Sequence, residues 1–549
     1  MTILNRNAII AAVCLLLTAL TLPVTLAQSA GPYKISGVVV SKIDGHLLSR
    51  ARVTIYDTRN PGKSGFAITS DDGKFEFSGL PAGKFALGGA KRGFTQAAYE
   101  EHEQFSTAIV TGPGLDSESL ILRLAPEAII SGKILDESGD PVRGADVSLY
   151  IEDRSGGFSK VHSVRSDRTD DQGAYEFSAL RPGNYFLSVN ATPWYAVRPA
   201  TYSNADGKLN DPSTTFDRSL DVAYPLTYYP DVTSADSATP IPIRGGDRIQ
   251  VDIHLTPAPA LRLVFRLPQN ANGQFATPTL EQSTFDGSTS VPTEGAREIS
   301  PGVMEVTGVP AGQYDIRLMG DGSATQVNGV NVGRDGEEID VTHSESLSTV
   351  KVLARNASQF KHLSEILVGL RSARQLVASG QVFNDKGEAF FNNLSPGRYE
   401  VVVAHNNQAY SPSDMSIEGA TLSGQTLVIP AGATASLSLN ILDANIDIDG
   451  IAKRSGKPSS GAMVVLVPKD PENNRILFRR DQTDSDGTFS LKNVSPGSYT
   501  VIAIDDGWDL DWSQPGVIGA YLKHGQSVKV AASTTQSMKL PDPVEVQAK

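Results

Sequence analysis

Three groupings of residues in this 549-residue sequence have types and spacing that could do chemistry. The first is His362-Leu363-Ser364-Glu365, a His-x-x-Glu spacing with which a zinc peptidase site can begin. Such a site also needs a third ligand histidine and a general-base glutamate within a large α/β domain, and no such domain is readable. With eight histidines in the chain, one chance match is unsurprising, so His362 reads as a surface histidine near a strand. The second grouping is acidic: Asp71-Asp72-Gly73, Asp170-Asp171-Gln172-Gly173 and Asp484-Ser485-Asp486-Gly487 could offer oxygens to Ca²⁺. None completes a calcium loop, because with Asp486 in the fifth position the twelfth is Asn493 rather than glutamate, and ordinary Asp-Gly turns account for them. No His-Glu-x-x-His, Gly-x-Ser-x-Gly or Gly-x-x-x-x-Gly-Lys motif occurs, so neither a catalytic constellation nor a cofactor is expected.

The third grouping is aromatic and acidic. Pro193-Trp194-Tyr195, Tyr224-Pro225-Leu226-Thr227-Tyr228-Tyr229-Pro230 and Asp505-Asp506-Gly507-Trp508-Asp509-Leu510-Asp511-Trp512 combine rings with carboxylates, as does the shorter Tyr99-Glu100-Glu101-His102. Sugar rings stack their CH faces on aromatic planes while their hydroxyls donate to acids, and Tyr and Trp also dominate protein–protein hot spots. The candidate ligand-binding residues are therefore Trp194, Tyr195, Tyr228, Tyr229, Trp508, Asp509, Asp511 and Trp512. Their partner would be a glycan or an envelope or extracellular protein. The same rings could instead pin long loops onto their own domain, and the sequence leaves both readings open.

The elements that must position these loops are internal repeats. Asp71-Asp72-Gly73-Lys74-Phe75-Glu76-Phe77 through Leu80-Pro81-Ala82-Gly83-Lys84-Phe85-Ala86-Leu87 recurs with first glycines at 173, 302, 387 and 487. In every copy a second glycine follows ten residues on, and an aromatic follows that by two: Phe85, Tyr185, Tyr314, Tyr399 and Tyr499. Apolar residues at +2 and +4 from the first glycine share one face of a strand, since side chains alternate with period 2. A Pro-Gly or Pro-x-Gly turn then reverses the chain, with the second glycine expected at positive φ. This is a β-hairpin, and a hairpin needs further strands to be stable. Those strands are readable: Ile35–Val39, Ile130–Ile134 and Ile448–Ala452 open three units, Ala51–Ile55, Ala145–Leu149 and Ala462–Leu466 follow, and Ser119–Leu124, Ile249–Leu255 and Ala435–Leu439 close units. One stretch is ambiguous: Phe360, Leu363, Ile366, Leu367 and Leu370 fit a helical face, but its place in the repeat predicts a strand through Glu365–Arg371.

The repeat period of about 104 residues is one ordinary domain. The expected division is a signal peptide at 1–27 and five β-sandwiches at 28–126, 127–258, 259–345, 346–445 and 446–549, with the long aromatic loop of the second unit at 190–245. The signal rests on Arg6, an apolar run from Ala8 to Leu22 that is short for a membrane span of about 20 residues, and small residues at Thr25-Leu26-Ala27. Cleavage there removes Cys14, the only cysteine, so the mature chain would have no thiol; no transmembrane segment is expected after removal. The net charge of −13, without a basic block, argues against a nucleic-acid partner.

The run Ile130-Ser131-Gly132-Lys133-Ile134 to Ala145-Asp146-Val147-Ser148-Leu149, with Asp171-Gln172-Gly173-Ala174-Tyr175-Glu176-Phe177 and Leu180-Arg181-Pro182-Gly183-Asn184-Tyr185, resembles the carboxypeptidase regulatory-like domain family. The second and fifth units match it well, the first nearly as well, the fourth partly, and the third only in its hairpin. This resemblance implies transthyretin-like (Ig-like) antiparallel sandwiches, related to starch-binding-like folds and to the B-type repeats of collagen adhesins. It says little about function, because such domains occur in many exported proteins without peptidase activity. Adhesin repeats often contain a Lys–Asn bond promoted by an acid just after the tyrosine strand. The positions Gly88-Gly89, Ser188-Val189, Val402-Val403 and Ile502-Ala503 have none, so that chemistry is not expected. The expected fold is all-β, a tandem array of five sandwiches. The expected function is a non-enzymatic exported scaffold of adhesion type, with a carbohydrate-binding protein as the alternative and an accessory subunit of a secreted hydrolase as a weaker one.

Overall fold

The computed structural model describes residues 31–549 except for 198–216, 268–276, 286, 292–295, 321–322, 342–344, 360–362, 373–377, 406–407, 443–445 and 532–536. The expected signal peptide, Cys14 and His362 lie outside the described residues. The fold is all-β and built from sandwiches. In the first unit the strands Lys74–Leu80, Tyr33–Ser41 and Leu120–Leu124 form one sheet; Asn60–Ile68, Arg52–Asp57, Gly83–Lys91 and Phe94–Ala98, with Ile109–Thr111, form the other. The opening strand lies antiparallel to the first hairpin strand and parallel to the closing strand, an arrangement repeated at Ala128–Leu135, Leu261–Arg266, Ser348–Ala354 and Ile446–Arg454. The third unit, legible in sequence only through its hairpin, thus has the full arrangement. Buried apolar residues gather accordingly into clusters spanning residues 35–124, 128–255, 261–341, 350–441 and 446–546.

The hairpin repeat encodes more than alternation. The first glycine is left-handed in all five copies, with φ from 67° at Gly173 to 78° at Gly487. The second glycine does not take positive φ, which corrects the expectation. The left-handed residue lies four positions earlier, at Gly79, Ala179, Gly308, Asn393 and Asn493, where the strand register shifts by a bulge. Bulges of this kind use a left-handed residue to re-aim the strand, and glycine and asparagine tolerate that conformation best. The second glycine is crowded in three copies, where a Cβ would stand 3.2 Å from Ile151 at Gly183, 3.2 Å from the Tyr314 hydroxyl at Gly312 and 3.0 Å from the Tyr499 ring at Gly497; at Gly83 and Gly397 it would meet the ring two residues on at ordinary contact distance.

That ring fastens the turn. The hydroxyls of Tyr185, Tyr314, Tyr399 and Tyr499 each donate to the carbonyl four residues upstream, at 2.9, 2.7, 2.6 and 2.8 Å. Phe85 has no hydroxyl, and in that unit Thr111 donates to the corresponding carbonyl, that of Pro81, at 2.8 Å. A buried threonine four residues before the first glycine adds a second fastening in three units. Thr69, Thr169 and Thr483 each accept the N–H that opens the second strand, at 2.8 Å in all three.

The ambiguous stretch of the fourth unit forms a strand over Leu367–Ser372 after a short 3-10 turn at Leu363–Glu365, with Ile366, Val368 and Leu370 buried. One α-helix stands out among the described residues, Pro515–Leu522, with proline in its first turn. It lies in the loop that follows the fifth tyrosine strand.

Candidate functional site

The loop after each tyrosine strand leaves its sandwich at an equivalent place, and two of these loops meet. Tyr99–Ala108 of the first unit lies against the edge strand Arg479–Gln482 of the fifth, and the fifth unit's own loop at 505–522 lies against both the first and second units. Arg480 is at the centre. Its side chain is 3% exposed, and both terminal nitrogens donate to the Glu103 carboxylate, at 3.2 and 2.5 Å. Its guanidinium carbon is 4.2 Å from the Trp512 ring centre, 5.2 Å from Phe105 and 5.8 Å from Trp508. A planar, weakly hydrated guanidinium suits this box of rings and a bidentate acid, whereas an ammonium would not.

Gln482 extends the contact. Its amide nitrogen donates to the Glu100 carbonyl at 2.6 Å and to the Thr107 hydroxyl at 2.8 Å, which leaves its oxygen to accept from His102 Nδ1 at 3.1 Å. The His102 ring lies flat on Trp508, with centroids 4.9 Å apart and planes inclined by 5°. Further along, the two segments are joined at Ser485, whose N–H donates to the Ala108 carbonyl at 3.0 Å and whose hydroxyl accepts from Val110 N–H at 2.8 Å. Lys84 donates to the Asp484 carboxylate at 2.5 Å and to Thr488 at 2.7 Å. Burial pushes the Asp481 carboxyl up to about 6 and raises that of Asp484 too, against the opposing pull of Lys84.

The second unit is held in the same way. Arg154 donates to Asp511 at 3.2 Å, as does Ser159 N–H at 3.0 Å; Trp512 Nε1 donates to the Arg154 carbonyl at 3.2 Å; and Ser513 N–H donates to Gly157 at 2.9 Å. Asp509 remains on the surface, its carboxyl held low by the hydrogen bond from Lys549.

These placements correct the expectation of open aromatic planes in the fifth unit. Trp508 and Trp512 are each 8% exposed and form a core with Phe478, Ile502, Ile504 and Ile518. The physical reason is area. An indole buries roughly 150–250 Å² at about 25 cal/mol/Å², so a neighbouring surface that fits it outcompetes solvent. Tyr228 is likewise buried, and Phe285 of the third unit meets it edge-on at 5.4 Å while also touching Tyr150 and Phe186. Tyr229 is half-buried beside the second core.

Trp194 is different: 88% exposed, with its ring edge-on to Tyr195 at 5.9 Å. The hydroxyls of Tyr195 and Tyr224 both donate to the Glu137 carboxylate, the latter at 3.1 Å. Burial and that acid push Tyr195 up to about 12 and raise Tyr224 as well. Glu137 is therefore fixed by two tyrosines, one of which lies edge-on to the open Trp194 ring. Of the acidic turns, Asp170 and Asp486 serve their own hairpins, Asp170 accepting from Gln172 and Ala174 N–H, both at 2.8 Å, and Asp486 from Thr488 N–H at 3.0 Å, whereas Asp484 is taken up by Lys84 and by Ala108 N–H of the first unit. Among the described residues no three His, Cys, Asp or Glu side chains group to hold a metal.

Sequence reasoning missed Arg480, Glu103, Gln482 and Glu137. The available signal was Arg479-Arg480-Asp481-Gln482, a strand of charged and polar residues where both faces proved to be occupied.

No curated protein shows significant similarity to the chain. Among solved structures, a streptococcal ancillary pilin aligns at 12% identity over 56% of this chain and 98% of that chain, with a TM-score of 0.20. The minor pilin of Streptococcus agalactiae aligns at 14% identity over 41% and 97%, with a TM-score of 0.21. A hydroxyquinol 1,2-dioxygenase from Pseudomonas putida aligns at 18% identity over 24% and 56%, with a TM-score of 0.12. Residues 129–211 match the model of the carboxypeptidase regulatory-like domain, so the chain contains a domain of that family in its second repeat, as the residues there suggest.

Proposed function

We propose that the chain is a non-enzymatic, exported scaffold of adhesion type, built from five sandwich domains divided as the repeats suggest and working in the periplasm, at the cell surface or outside the cell. The observation that carries this reading is the junction around Arg480. The loops richest in chemically capable residues are spent on joining the first, second and fifth units, which gives a body that can present a surface rather than a string of independent modules. Fractionation of the expressing cell tests the reading. The full-length chain should be processed near Ala27 and recovered outside the cytoplasm, and an unprocessed cytoplasmic product contradicts it.

Trp194 favours a second reading, carbohydrate binding. An exposed indole edge-on to Tyr195, whose hydroxyl is bonded to the Glu137 carboxylate, offers a stacking plane with polar groups on the neighbouring ring. On a glycan array, binding by the wild type that Trp194→Ala abolishes supports it. An array with no Trp194-dependent signal removes it.

A further inference from the structure

A cleft of about 610 Å³ opens where the first, second and fifth units meet. Ligand sites favour such junctions, and this volume is within their usual range of roughly 300–1,000 Å³. Its floor is the strand Phe94–Ala98, which is last in its sheet: it pairs with Gly83–Lys91 on one side, and on the other Phe94 makes a single bridge to Pro126. At one end the edge is covered, since Thr95 N–H donates to the Ala125 carbonyl at 2.8 Å. From Gln96 to Ala98 it faces the cleft. There the Ala98 N–H donates to a side chain of its own loop, the Glu101 carboxylate, at 2.6 Å. A carboxylate oxygen thus stands where the carbonyl of an added strand would accept.

The walls are charged in opposite senses. Lys42 N–H donates to the Leu124 carbonyl and Arg123 precedes that residue, so both cations stand at the Thr95 end, exposed and without ion-pair partners among the described residues. At the Ala98 end Arg181 is paired with Glu101 at 3.4 Å, and beside that pair stand Glu100, whose carboxylate accepts the Ser460 hydroxyl at 3.3 Å, and Asp506, exposed and left-handed at φ 48°. A backbone edge between a cationic end and an acidic end suits one class of occupant. We propose that this cleft receives an extended peptide segment of a partner protein, which adds as a strand to the edge Gln96–Ala98 and carries an acidic residue toward Lys42 and Arg123 and a basic one toward Asp506 and Glu100. Main-chain hydrogen bonds supply the affinity and the end charges fix the register. Because the acidic wall belongs partly to the fifth unit, the site is complete only when that unit is docked.

Titration calorimetry on the full chain tests this with the hexapeptide Asp-Val-Thr-Val-Thr-Lys, the same peptide N-methylated at alternate residues, and a version with serine at both ends. The parent peptide should bind. N-methylation removes about two hydrogen bonds and should weaken binding about tenfold or more. Arg123→Glu should weaken it comparably, and so should the serine-ended peptide. Asp506→Asn, a substitution that the left-handed backbone tolerates, gives a second variant should Arg123→Glu fold poorly. No binding of the parent peptide overturns the proposal, as does equal binding of the N-methylated peptide. Binding indifferent to both protein variants places the peptide elsewhere and also overturns it.

Discussion

The tryptophan loops of the second and fifth units hold the same place in their repeats and have opposite fates. Trp194 projects into solvent at 88% exposure, while Trp508 and Trp512 are 8% exposed. Both loops follow the tyrosine strand of their repeat, and acids crowd around Trp508 and Trp512 but not around Trp194. The difference is made by a surface far away in the chain. His102, Phe105 and the Arg480–Glu103 pair meet the fifth loop, and Arg154 takes its far side, whereas among the described residues the Trp194 ring is met by that of its neighbour Tyr195. An aromatic loop therefore stays open to solvent or becomes a joint according to whether another unit reaches it.

Substitutions should separate the two regions sharply. Trp512→Ala empties part of a packed core and removes a ring from Arg480, so unfolding in denaturant should show a loss of about 3–5 kcal/mol. Trp194→Ala should change stability by no more than about 0.5 kcal/mol while removing any glycan binding. Equal losses at the two positions would erase the comparison. Arg480→Met comes next, since it keeps the stem but leaves the Glu103 carboxylate without its partner. Glu103 keeps some solvent access at 21% exposure, so a loss of about 3 kcal/mol is expected, at the low end for a buried pair.

A smaller effect is expected at the turn of the first unit. Thr111→Val removes the hydroxyl that substitutes for the missing tyrosine hydroxyl and should cost about 1 kcal/mol. Valine there being neutral would mean that the Pro81 carbonyl needs no donor. The last is a pH effect. The folded Asp481 carboxyl titrates at about 6, above its ordinary 3.8, so its contribution favours the fold most below pH about 4 and is lost as pH rises through 6. Asp481→Asn should therefore flatten the melting temperature between those values and raise it slightly at pH 7. An unchanged pH profile contradicts that assignment.

Much of the fold was legible because it is local. Period-2 alternation at Phe75/Phe77 or Tyr499/Val501 marks strands, and the glycine spacing marks the hairpin, wherever the rest of the chain lies. The opening-strand glycines also have a structural reason, since a Cβ at Gly37 or Gly132 would overlap the closing strand's carbonyl. The bulge was hidden because its left-handed residue varies among glycine, alanine and asparagine, and only backbone geometry unites them. The joint was illegible for another reason. Arg480 and Glu103 are 377 positions apart, and no pattern in a short window shows that two loops from different repeats will meet.

The association of the first and fifth units is the central claim, and a double-mutant cycle on Glu103 and Arg480 tests it most directly. Denaturant unfolding of the wild type, Glu103→Gln, Arg480→Met and the double variant gives their coupling free energy. A bidentate pair held among rings should couple by about 1.5 kcal/mol or more, with the double variant less destabilised than the two single losses added together. Strict additivity, with coupling within about 0.3 kcal/mol of zero, would mean that the two residues do not meet and that the fifth unit stands apart from the first.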